Sequence, residues 1–444
     1  MNAPVLKLAR WPLPLLTAAV LAACGDTATL EIAQGTGPNP QLPEPVKRLI
    51  PTVKVAPVKR WAANAKPIAA DDLQVNAFAR DLDHPRWVYV LPNGDVLVAE
   101  TAEPPKPDDA GGGGLRKKVQ GAMMKKAGAV VPSANRITLL RDADGDGVAE
   151  VRTQFISGLF SPFGMALVGD RFYVANADAL VSFPYAPGDT HITAKPTFVA
   201  NLPGGLNHHW TKSLLASADG SKLYVGVGSN SNVAENGMEA ELNRAAILEI
   251  DPATGSSRVF ASGLRNPVGT AWEPQSQSLW VVVNERDEIG SDLVPDYLTS
   301  VRDGGFYGWP YSYYGQHVDE RVEPQNAELV AKAIKPDYAL GPHTASLGLS
   351  FASGSLLPQR FRQGAFIGQH GSWNRDPPSG YKVIFVPFAN GKPAGNPITV
   401  LDGFLDAEGN AQGRPVGVTP DNSCALLVAD DVGNVIWRVT PKTR

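Results

Sequence analysis

The sequence is poor in cysteine, in charged residues and in long apolar runs. Two cysteines among 444 residues cannot form a disulfide framework. Charged residues make up only 19% and the formal net charge is −4, so no general attraction to nucleic acid is expected. Beyond residue 23, no apolar run approaches the roughly 20 residues that a membrane-spanning helix needs. A hydrophobic content of 43% nevertheless indicates a globular protein, which excludes a mainly disordered, collagenous or coiled-coil chain.

Glycine and proline, in contrast, are abundant, with 44 and 38 residues respectively. Together they exceed their usual share of roughly 12%. We therefore predict many turns and few long helices.

The N-terminus has the pattern of an export signal. Lys7 and Arg10 form a basic segment before a 13-residue apolar stretch at 11–23, which is too short to span a bilayer. The segment Leu-Ala-Ala-Cys-Gly at 21–25 resembles the lipobox of bacterial lipoproteins. This resemblance implies removal of residues 1–23, lipidation of Cys24 and a periplasm-facing position at the cell envelope, on the outer membrane in preference to the inner one. The alternative is an ordinary secretory signal with an incidental cysteine.

Residues 24–70 are predicted to be a proline-rich tether. Seven prolines between 38 and 67 disfavour a regular helix and favour extended backbone. Such a segment would hold a folded domain, predicted at 71–444, away from the membrane. Alternatively, part of it packs along that domain, because Leu49, Ile50, Val53 and Val55 are apolar.

One pattern then recurs six times. A short apolar strand leads to a turn rich in Pro, Asp, Asn or Gly, and then to a strongly apolar strand; a third strand follows most copies. The copies begin near residues 85, 162, 213, 267, 347 and 415. Repeated antiparallel hairpins at this spacing are typical of propeller blades, none of which can bury both faces alone. We predict an all-β, six-bladed β-propeller whose last strand pairs onto the first blade; a β-sandwich or two barrels would not show so regular a repeat.

An insertion at 103–130 interrupts the first copy. It contains a run of glycines followed by a basic stretch, which predicts a short basic helix after a flexible hinge. This helix is either a solvated surface element or a contact for an anionic membrane or an electron-accepting partner.

A second interruption is acidic. Asp142, Asp144, Asp146 and Glu150 place carboxylates at positions 1, 3, 5 and 9 around a glycine turn. Hard oxygen ligands at this spacing suit Ca²⁺, although position 12 is not the Glu of a complete EF-hand. A plain Asp/Gly-rich turn is the alternative.

Chemically active side chains precede the strands of two neighbouring copies. His209 stands before the third copy, and Arg265 with Asn266 occupies the same place before the fourth. Asp287 and Glu288 follow the second strand of the fourth copy. Loops at these positions surround the channel of a propeller, so we expect a neutral base, a guanidinium and carboxylates on one rim.

These segments resemble those of the glucose/sorbosone dehydrogenases. The resemblance rests on His209 with Asp-Gly ten residues later, Gly-Leu-Arg-Asn-Pro-Val-Gly at 263–269 and Gly-Gly-Phe-Tyr-Gly-Trp-Pro at 304–310, and extends from about 80 to 441. His-His-Trp-Thr, Asn-Glu-Arg-Asp-Glu and Gly-Gln-His-Gly-Ser-Trp-Asn-Arg are most similar to the L-sorbosone and pyranose dehydrogenase branch. The family implies a six-bladed propeller that oxidises a sugar or sugar aldehyde with pyrroloquinoline quinone (PQQ) and Ca²⁺. A quinone or a cytochrome would be the electron acceptor.

The resemblance also implies roles for the rim residues. His209 would be the base that takes the substrate proton, and Arg265, beside Asn266, would stabilise charge on the cofactor's quinone oxygen. Asp287 and Glu288 replace a Gly-Pro pair that holds the calcium, so either their carbonyls or their carboxylates would serve.

The predicted cofactor-binding residues differ in part from the family pattern. Arg414 matches one of two cofactor-binding arginines, whereas Val416 occupies the place of the other. A cofactor-binding lysine has no direct equivalent, and His370, Arg375 and Lys382 lie near its place. We therefore predict cofactor contacts from Arg414, His370 and Arg375.

Two alternatives from other classes share this fold. One is a calcium-dependent lactonase, which needs a metal held by side chains in the central channel. The other is a non-catalytic propeller that binds a partner or a glycan. Fold alone does not separate them, and the pairing of His209 with Arg265 favours the oxidoreductase.

Overall fold

The computed structural model describes residues 25–48, 52–106, 126, 128 and 130–442. The predicted signal segment, Cys24 and most of the 103–130 insertion lie outside these residues. Six antiparallel sheets form six blades, so the prediction of an all-β, six-bladed propeller is confirmed. The innermost strands begin at residues 85, 164, 212, 267, 346 and 415, each within two residues of the predicted start of a copy.

The strands of each blade run outward from the axis in chain order, apart from the additions named below. Blade 1 contains Pro85–Val90, Val96–Glu100, Arg136–Arg141 and Val151–Ile156; blade 2 contains Gly164–Val168, Arg171–Ala175, Ala179–Pro184 and Thr197–Asn201. Blade 3 contains Lys212–Ala216, Leu223–Val227, Ala246–Ile250 and Ser257–Ser262, with Gly305–Phe306 added at the edge. Blade 4 contains Pro267–Trp272, Leu279–Val283, Pro295–Ser300 and Tyr338–Pro342, with Thr36–Gly37 added. Blade 5 contains Ser346–Phe351, Gly364–Gln369, Lys382–Ala389 and Ile398–Asp402, with Ile68–Ala69 added, and blade 6 contains Pro415–Pro420, Leu426–Asp430, Val435–Pro441 and Leu73–Ala79.

Shorter elements connect these blades. Lys392–Pro393 pairs with the third strand of blade 5, and Ser312–Tyr313 pairs with His317–Val318. The helical elements in the described part of the chain are the α-helix Ala327–Lys332 and the 3₁₀ segments Ile32–Gly35, Met238–Glu241 and Gln359–Phe361. None of the helices described is long and apolar enough to cross a membrane.

The second strand of each blade is mostly apolar because each of its faces meets a neighbouring blade. In Leu279–Val283, Val281 packs with residues of blade 3, including Ile247, in one core cluster. The next residue, Val282, packs with Ile367 of blade 5 in another. Because side chains alternate along a strand, one five-residue run contributes to both cores.

The two ends of the propeller domain meet in blade 6. Leu73–Ala79 pairs antiparallel with Val435–Pro441 and forms the outermost strand. Residues 415–441 supply only three strands of that blade, so an early segment completes it. The predicted closure is therefore reversed in direction: the first strand joins the last blade. Phe78 of this strand packs with Val98 of blade 1 and so links the first and last blades.

Residues 25–48 and 52–62, which we call the strap, pack along the propeller. This is the second of the two possibilities for the predicted tether. Thr36 and Gly37 add a short strand to blade 4, and the indole of Trp61 donates a hydrogen bond of 2.6 Å to Asp430. Extended, proline-rich backbone makes few hydrogen bonds to itself, so sheet edges and loops of the propeller supply partners.

An apolar floor closes the central channel. One side chain from each of the six blades, in or beside its innermost strand, contributes to a single cluster: Trp87, Phe163, Trp210, Val268, Leu347 and Val416. The place where the family pattern has a second arginine is thus part of this floor. Polar loops that precede the innermost strands lie above it, and we call this end of the propeller the top face.

Candidate active site

His209 is held in one orientation and one tautomer on the top face. Its Nδ1 lies 2.9 Å from the carbonyl oxygen of Ser229. A carbonyl can only accept, so the neutral ring carries its proton on Nδ1 and has its lone pair on Nε2. Burial, together with the charge of Arg265, lowers the pKa of His209 well below 6.5. At neutral pH the side chain is therefore a neutral base.

Arg265 is buried and fixed by several acceptors. Its Nη1 donates to the carbonyl of Glu285 at 2.6 Å, and its Nη2 donates to Asp287 at 3.1 Å and to Asn232 at 3.0 Å. Its Nε, like Oδ1 of the neighbouring Asn266, is buried and has no hydrogen-bond partner among the described residues. The described chain thus leaves one buried donor and one buried acceptor unsatisfied at this point.

Gly228 brings blades 3 and 4 together here. A Cβ at this position would lie 2.4 Å from Cβ of His209 and 2.5 Å from Oδ1 of Asn266. No residue but glycine fits between them without displacing one or the other. The two segments singled out by sequence thus meet across this glycine.

Asp287 is bound by cationic and amide groups rather than directed at an open site. Its carboxylate contacts Arg265 and, at 3.2 Å, Nδ1 of His343, while its carbonyl accepts from the Asn232 amide at 3.1 Å. Burial alone would raise the pKa of Asp287, but His343 and Arg265 bring it below its usual value. For His343 the directions are opposite: burial alone would lower its pKa, but Asp287 brings it above 6.5.

The carboxylates of Asp287 and Glu288 do not form a calcium shell in this arrangement. Glu288 pairs with Arg321 at 3.3 Å. A calcium ion at the Asp287 carboxylate would require it to release Arg265 or His343, whereas the carbonyl oxygens keep the capacity for a further partner. The described residues hold one group of three or more converging metal-ligand side chains, and it does not include this pair.

A second polar group centres on Asp431 of blade 6. Its carboxylate accepts from Nη1 of Arg86 at 2.7 Å and lies 2.9 Å from Nε2 of His370, and its carbonyl lies 3.0 Å from Nδ1 of His84. Burial would raise the pKa of Asp431, but His370, His84 and Arg86 hold it far below its usual value. The guanidinium of Arg86 also lies 5.7 Å from the ring of Trp210, so this group adjoins the channel floor.

The other predicted cofactor residues have different surroundings. Arg414 is buried, lies 4.9 Å from the ring of Tyr381 and has an unbonded Nε among the described residues. Arg375 instead donates to Pro377, to the carbonyl of Leu30 in the strap and to Asp292. The guanidinium of Arg375 thus contacts the strap, and its Nε, like that of Arg414, has no hydrogen-bond partner among the described residues, so its cofactor contact stays a prediction. Lys382 begins the third strand of blade 5 and is half-buried.

An open cleft of about 360 Å³ adjoins Asp431 on the top face. The strap residues Val58 and Arg60 line one side, and Ser133, from the loop of blade 1, lines another. His84 and Asp431 also line this cleft, so it connects the second polar group with solvent.

The acidic loop lies at the opposite end of blade 1. The carboxylate oxygens of Asp142, Asp144, Asp146 and Glu150 lie within 4.8 Å of one another. Backbone amides of Gly145 and Gly147 donate to Asp142 at 2.7 and 2.9 Å and shape the turn. The geometry suits a hard cation, but this end of the blade is remote from the top face, so the loop does not provide the channel metal of the lactonase alternative.

Sequence reasoning missed His84, Arg86, His343 and Asp431. Two of these residues, His84 and His343, could have been selected by their position. They precede the innermost strands of blades 1 and 5, as His209 precedes that of blade 3. Asp431 follows the second strand of blade 6, a position that carried no motif.

Comparison with known proteins decides the family. The model of the TrAA12-like family matches residues 130–296 and 314–442, which is about two thirds of the chain. The protein belongs to the TrAA12-like family. This TrAA12-like chain is also similar to an uncharacterized protein of Borreliella burgdorferi, with 28% identity over 292 residues that cover 63% of the chain and 76% of that protein.

Two further relatives have named activities. A pyrroloquinoline quinone-dependent pyranose dehydrogenase of Coprinopsis cinerea is 27% identical over 263 residues, which are 49% of this chain and 35% of that enzyme. An aldose sugar dehydrogenase of Escherichia coli is 26% identical over 187 residues, which are 42% of this chain and 44% of that enzyme. The matched regions thus span less than half of each of these enzymes.

Solved structures share the fold. The PQQ domain of the Coprinopsis cinerea pyranose dehydrogenase, in its holo form, aligns with a TM-score of 0.67 and 21% identity over 87% of this chain and 100% of that domain. A calcium structure of the Trichoderma reesei family AA12 enzyme aligns with a TM-score of 0.68 and 18% identity over 88% of this chain and 99% of that one.

Proposed function

We propose that this TrAA12-like propeller is a PQQ-dependent dehydrogenase that oxidises a sugar or sugar aldehyde of the sorbosone or pyranose type at the cell envelope. One observation carries the proposal: a neutral His209 with its lone pair on Nε2 lies across Gly228 from Asn266 and Arg265, whose Oδ1 and Nε have no hydrogen-bond partner among the described residues. The named activities of the relatives in Coprinopsis cinerea and Escherichia coli support it.

The residues of the channel fit a planar, anionic cofactor. PQQ carries three carboxylates and an ortho-quinone, and the channel presents three guanidinium groups, of Arg86, Arg265 and Arg414, whose buried Nε atoms lack partners in the described structure. Arginine favours such carboxylates because its donors form a planar fork. Arg86 of blade 1 thus offers a second guanidinium in the region where Val416 replaces an arginine of the family pattern.

The chain's own residues perform the proton transfer and the charge stabilisation. Nε2 of His209 accepts the proton of the substrate hydroxyl, and Nδ1 keeps its proton through the Ser229 carbonyl. Arg265, fixed by Glu285 and Asp287, stabilises negative charge that develops beside it without having to reorient. When bound, PQQ supplies the acceptor for the substrate hydride. We expect a sugar to enter from the top face, where the cleft beside Asp431 opens to solvent.

Calcium and envelope location complete the proposal. The acidic loop at 142–150 is the described site with a converging ligand set for Ca²⁺, and the lipobox at Cys24 supports a lipid anchor. The electron acceptor we propose is a quinone or a cytochrome.

Titration of the apoprotein with PQQ tests the function directly. We expect saturable binding with a quinone absorbance change and dye-linked oxidation of aldoses. Arg265→Lys should weaken PQQ binding, because a lysine ammonium cannot reproduce the bonds to Glu285 and Asp287 together with a free Nε donor.

Arg258→Lys is the matched control, because Arg258 is half-exposed on the outer strand of blade 3 and pairs with Glu249 and Asp303. Equal PQQ affinity in both variants, or no binding by the wild type, would contradict the proposed function.

A further inference from the structure

The first described residues are fixed on the top face without a spacer. The backbone N–H of Asp26 donates to Thr52 at 2.7 Å, and its carboxylate accepts from the backbone of Ser291 at 2.9 Å. Two residues later, the backbone of Ala28 donates to the carbonyl of Asp376 at 2.7 Å. Ser291 and Asp376 belong to top-face loops of blades 4 and 5. Residues 26 and 28, which closely follow the proposed lipidation site in the sequence, are therefore bound to this face.

A different sector of the same face carries exposed apolar side chains. Phe160, Leu206, Met238 and Leu242 are 41%, 37%, 48% and 73% exposed, and all four lie in top-face loops of blades 2 and 3. We call them the apolar patch. Single exposed apolar residues are common on protein surfaces. The four residues of the apolar patch are informative because they lie in neighbouring loops of one face, which is typical of a surface that contacts a partner or a membrane.

Hydrogen bonds tie the loops of the apolar patch together. Phe160 donates from its backbone to Asn176 at 3.2 Å, and the next residue of that turn, Ala177, accepts from Asn207 at 3.0 Å. The side-chain amide of Asn230 in turn donates to the carbonyl of Leu206, and its backbone N–H donates to the carboxylate of Glu241 at 2.7 Å. The loops at 160, 206 and 238–242 are thus one connected surface.

We infer that the top face is a membrane-binding face, with the lipid on Cys24 and the apolar patch as two separate contacts with the bilayer surface. This inference rests on the proposed lipidation. An acyl anchor alone holds a protein at the membrane but leaves it free to tilt, whereas a second apolar contact on another sector fixes its orientation. The channel mouth, which lies between these sectors, then faces the bilayer.

Depth-dependent quenching tests this orientation in the full lipidated protein. Leu242→Cys and Leu356→Cys are each made in a Cys424→Ser background, labelled with a fluorophore and reconstituted into vesicles of phosphatidylethanolamine and phosphatidylglycerol that contain nitroxide-labelled lipid. Leu356 is the matched control because it is 40% exposed and lies in the loop between the first two strands of blade 5, at the opposite end. We expect several-fold stronger quenching of the label at 242.

Each other outcome overturns the inference. Equal quenching at both positions or stronger quenching at 356 would show that the top face does not lie on the bilayer. An unacylated N-terminus by mass spectrometry would remove the lipid contact that the inference requires. A label at 242 that is protected from aqueous iodide but not quenched by the lipid would show that a protein covers the patch.

The same vesicles separate this inference from the proposed function. Aldose oxidation with an added dye but without quenching at 242 overturns the orientation and leaves the dehydrogenase intact. Quenching at 242 without any aldose oxidation supports the membrane-binding face and contradicts the dehydrogenase.

Discussion

At the residue scale, the proposed catalysis depends on a single nitrogen of His209. Because Nδ1 is held by Ser229, only Nε2 can accept a proton. We expect His209→Ala to lower kcat by roughly 10²–10⁴-fold, the usual range for a general base, with nearly unchanged PQQ affinity. Steady-state kinetics and cofactor titration measure the two effects.

His208→Ala is the neighbouring control. The two rings meet edge to face with centroids 5.0 Å apart, but the side chain of His208 lies on the exposed side. Its removal should cost less activity than removal of His209. A dead His208→Ala enzyme beside an active His209→Ala enzyme would reverse the assignment.

The pH dependence should reflect the environment of this base. Burial and Arg265 lower the pKa of His209 well below 6.5, so the deprotonated, active form persists in mildly acidic solution. We expect kcat/KM to fall only as the pH drops well below 6.5. Circular dichroism at each pH separates protonation of the base from unfolding; a midpoint at or above 6.5 with the fold intact would exclude His209 as that base.

At the element scale, one buried carboxylate fixes the end of the strap at Trp61. Asp430 accepts hydrogen bonds from Trp61 at 2.6 Å, Trp437 at 3.1 Å and the backbone of Arg414 at 2.8 Å, and burial raises its pKa to about 6. Asp430→Asn places a donor among these donors. We expect a loss of about 2 kcal/mol or more in the free energy of unfolding. Asp402→Asn, on an exposed strand end of blade 5, is the control, and equal midpoints in urea would contradict the role of Asp430.

The acidic loop should respond to calcium. If Ca²⁺ binds Asp142, Asp144, Asp146 and Glu150 only in the folded state, a free concentration of about 100 times Kd raises the free energy of unfolding by roughly 2.7 kcal/mol. Asp144→Asn should remove most of this increase, as thermal melts with Ca²⁺ and with chelator would show. Asp170→Asn, in an exposed turn of blade 2, should keep the full response. A wild type that melts identically with and without Ca²⁺ would leave this loop a plain turn.

At the scale of the whole molecule, the propeller is held closed by its first strand. Phe78 is 4% exposed and packs between blades 6 and 1. We expect Phe78→Ala to destabilise the fold by roughly 3–5 kcal/mol, because it leaves a cavity where the ring of blades closes. Phe198→Ala, on the outer strand of blade 2 at 59% exposure, should change stability by less than about 0.5 kcal/mol. Similar denaturation midpoints for both variants would show that closure contributes little.

The repeat and the inner rim could be predicted because they are local properties. A strand such as Leu279–Val283 lies between two blades, so both of its faces are buried and all five of its residues are apolar. The same periodicity places His209 and Arg265 before innermost strands, and this was enough to select them, whereas Arg414 was selected through the family resemblance. The prediction that the last strand joins the first blade was wrong. An outer strand has the same sequence pattern whether the N-terminal or the C-terminal end of the chain supplies it, so the pattern does not specify the direction of closure.

The sequence by itself thus determined the number of blades, the inner strands and the first set of rim residues, since local burial patterns specify them. Only the tertiary structure decided which distant groups meet. Arg86 and Asp431 are 345 residues apart, and they pair because closure makes blades 1 and 6 neighbours. Asp292 likewise binds Thr29 of the strap across 263 residues. No local sequence pattern predicts such contacts, because the two partners are distant in the sequence. They form hydrogen bonds away from water only when the closed ring of blades brings them together.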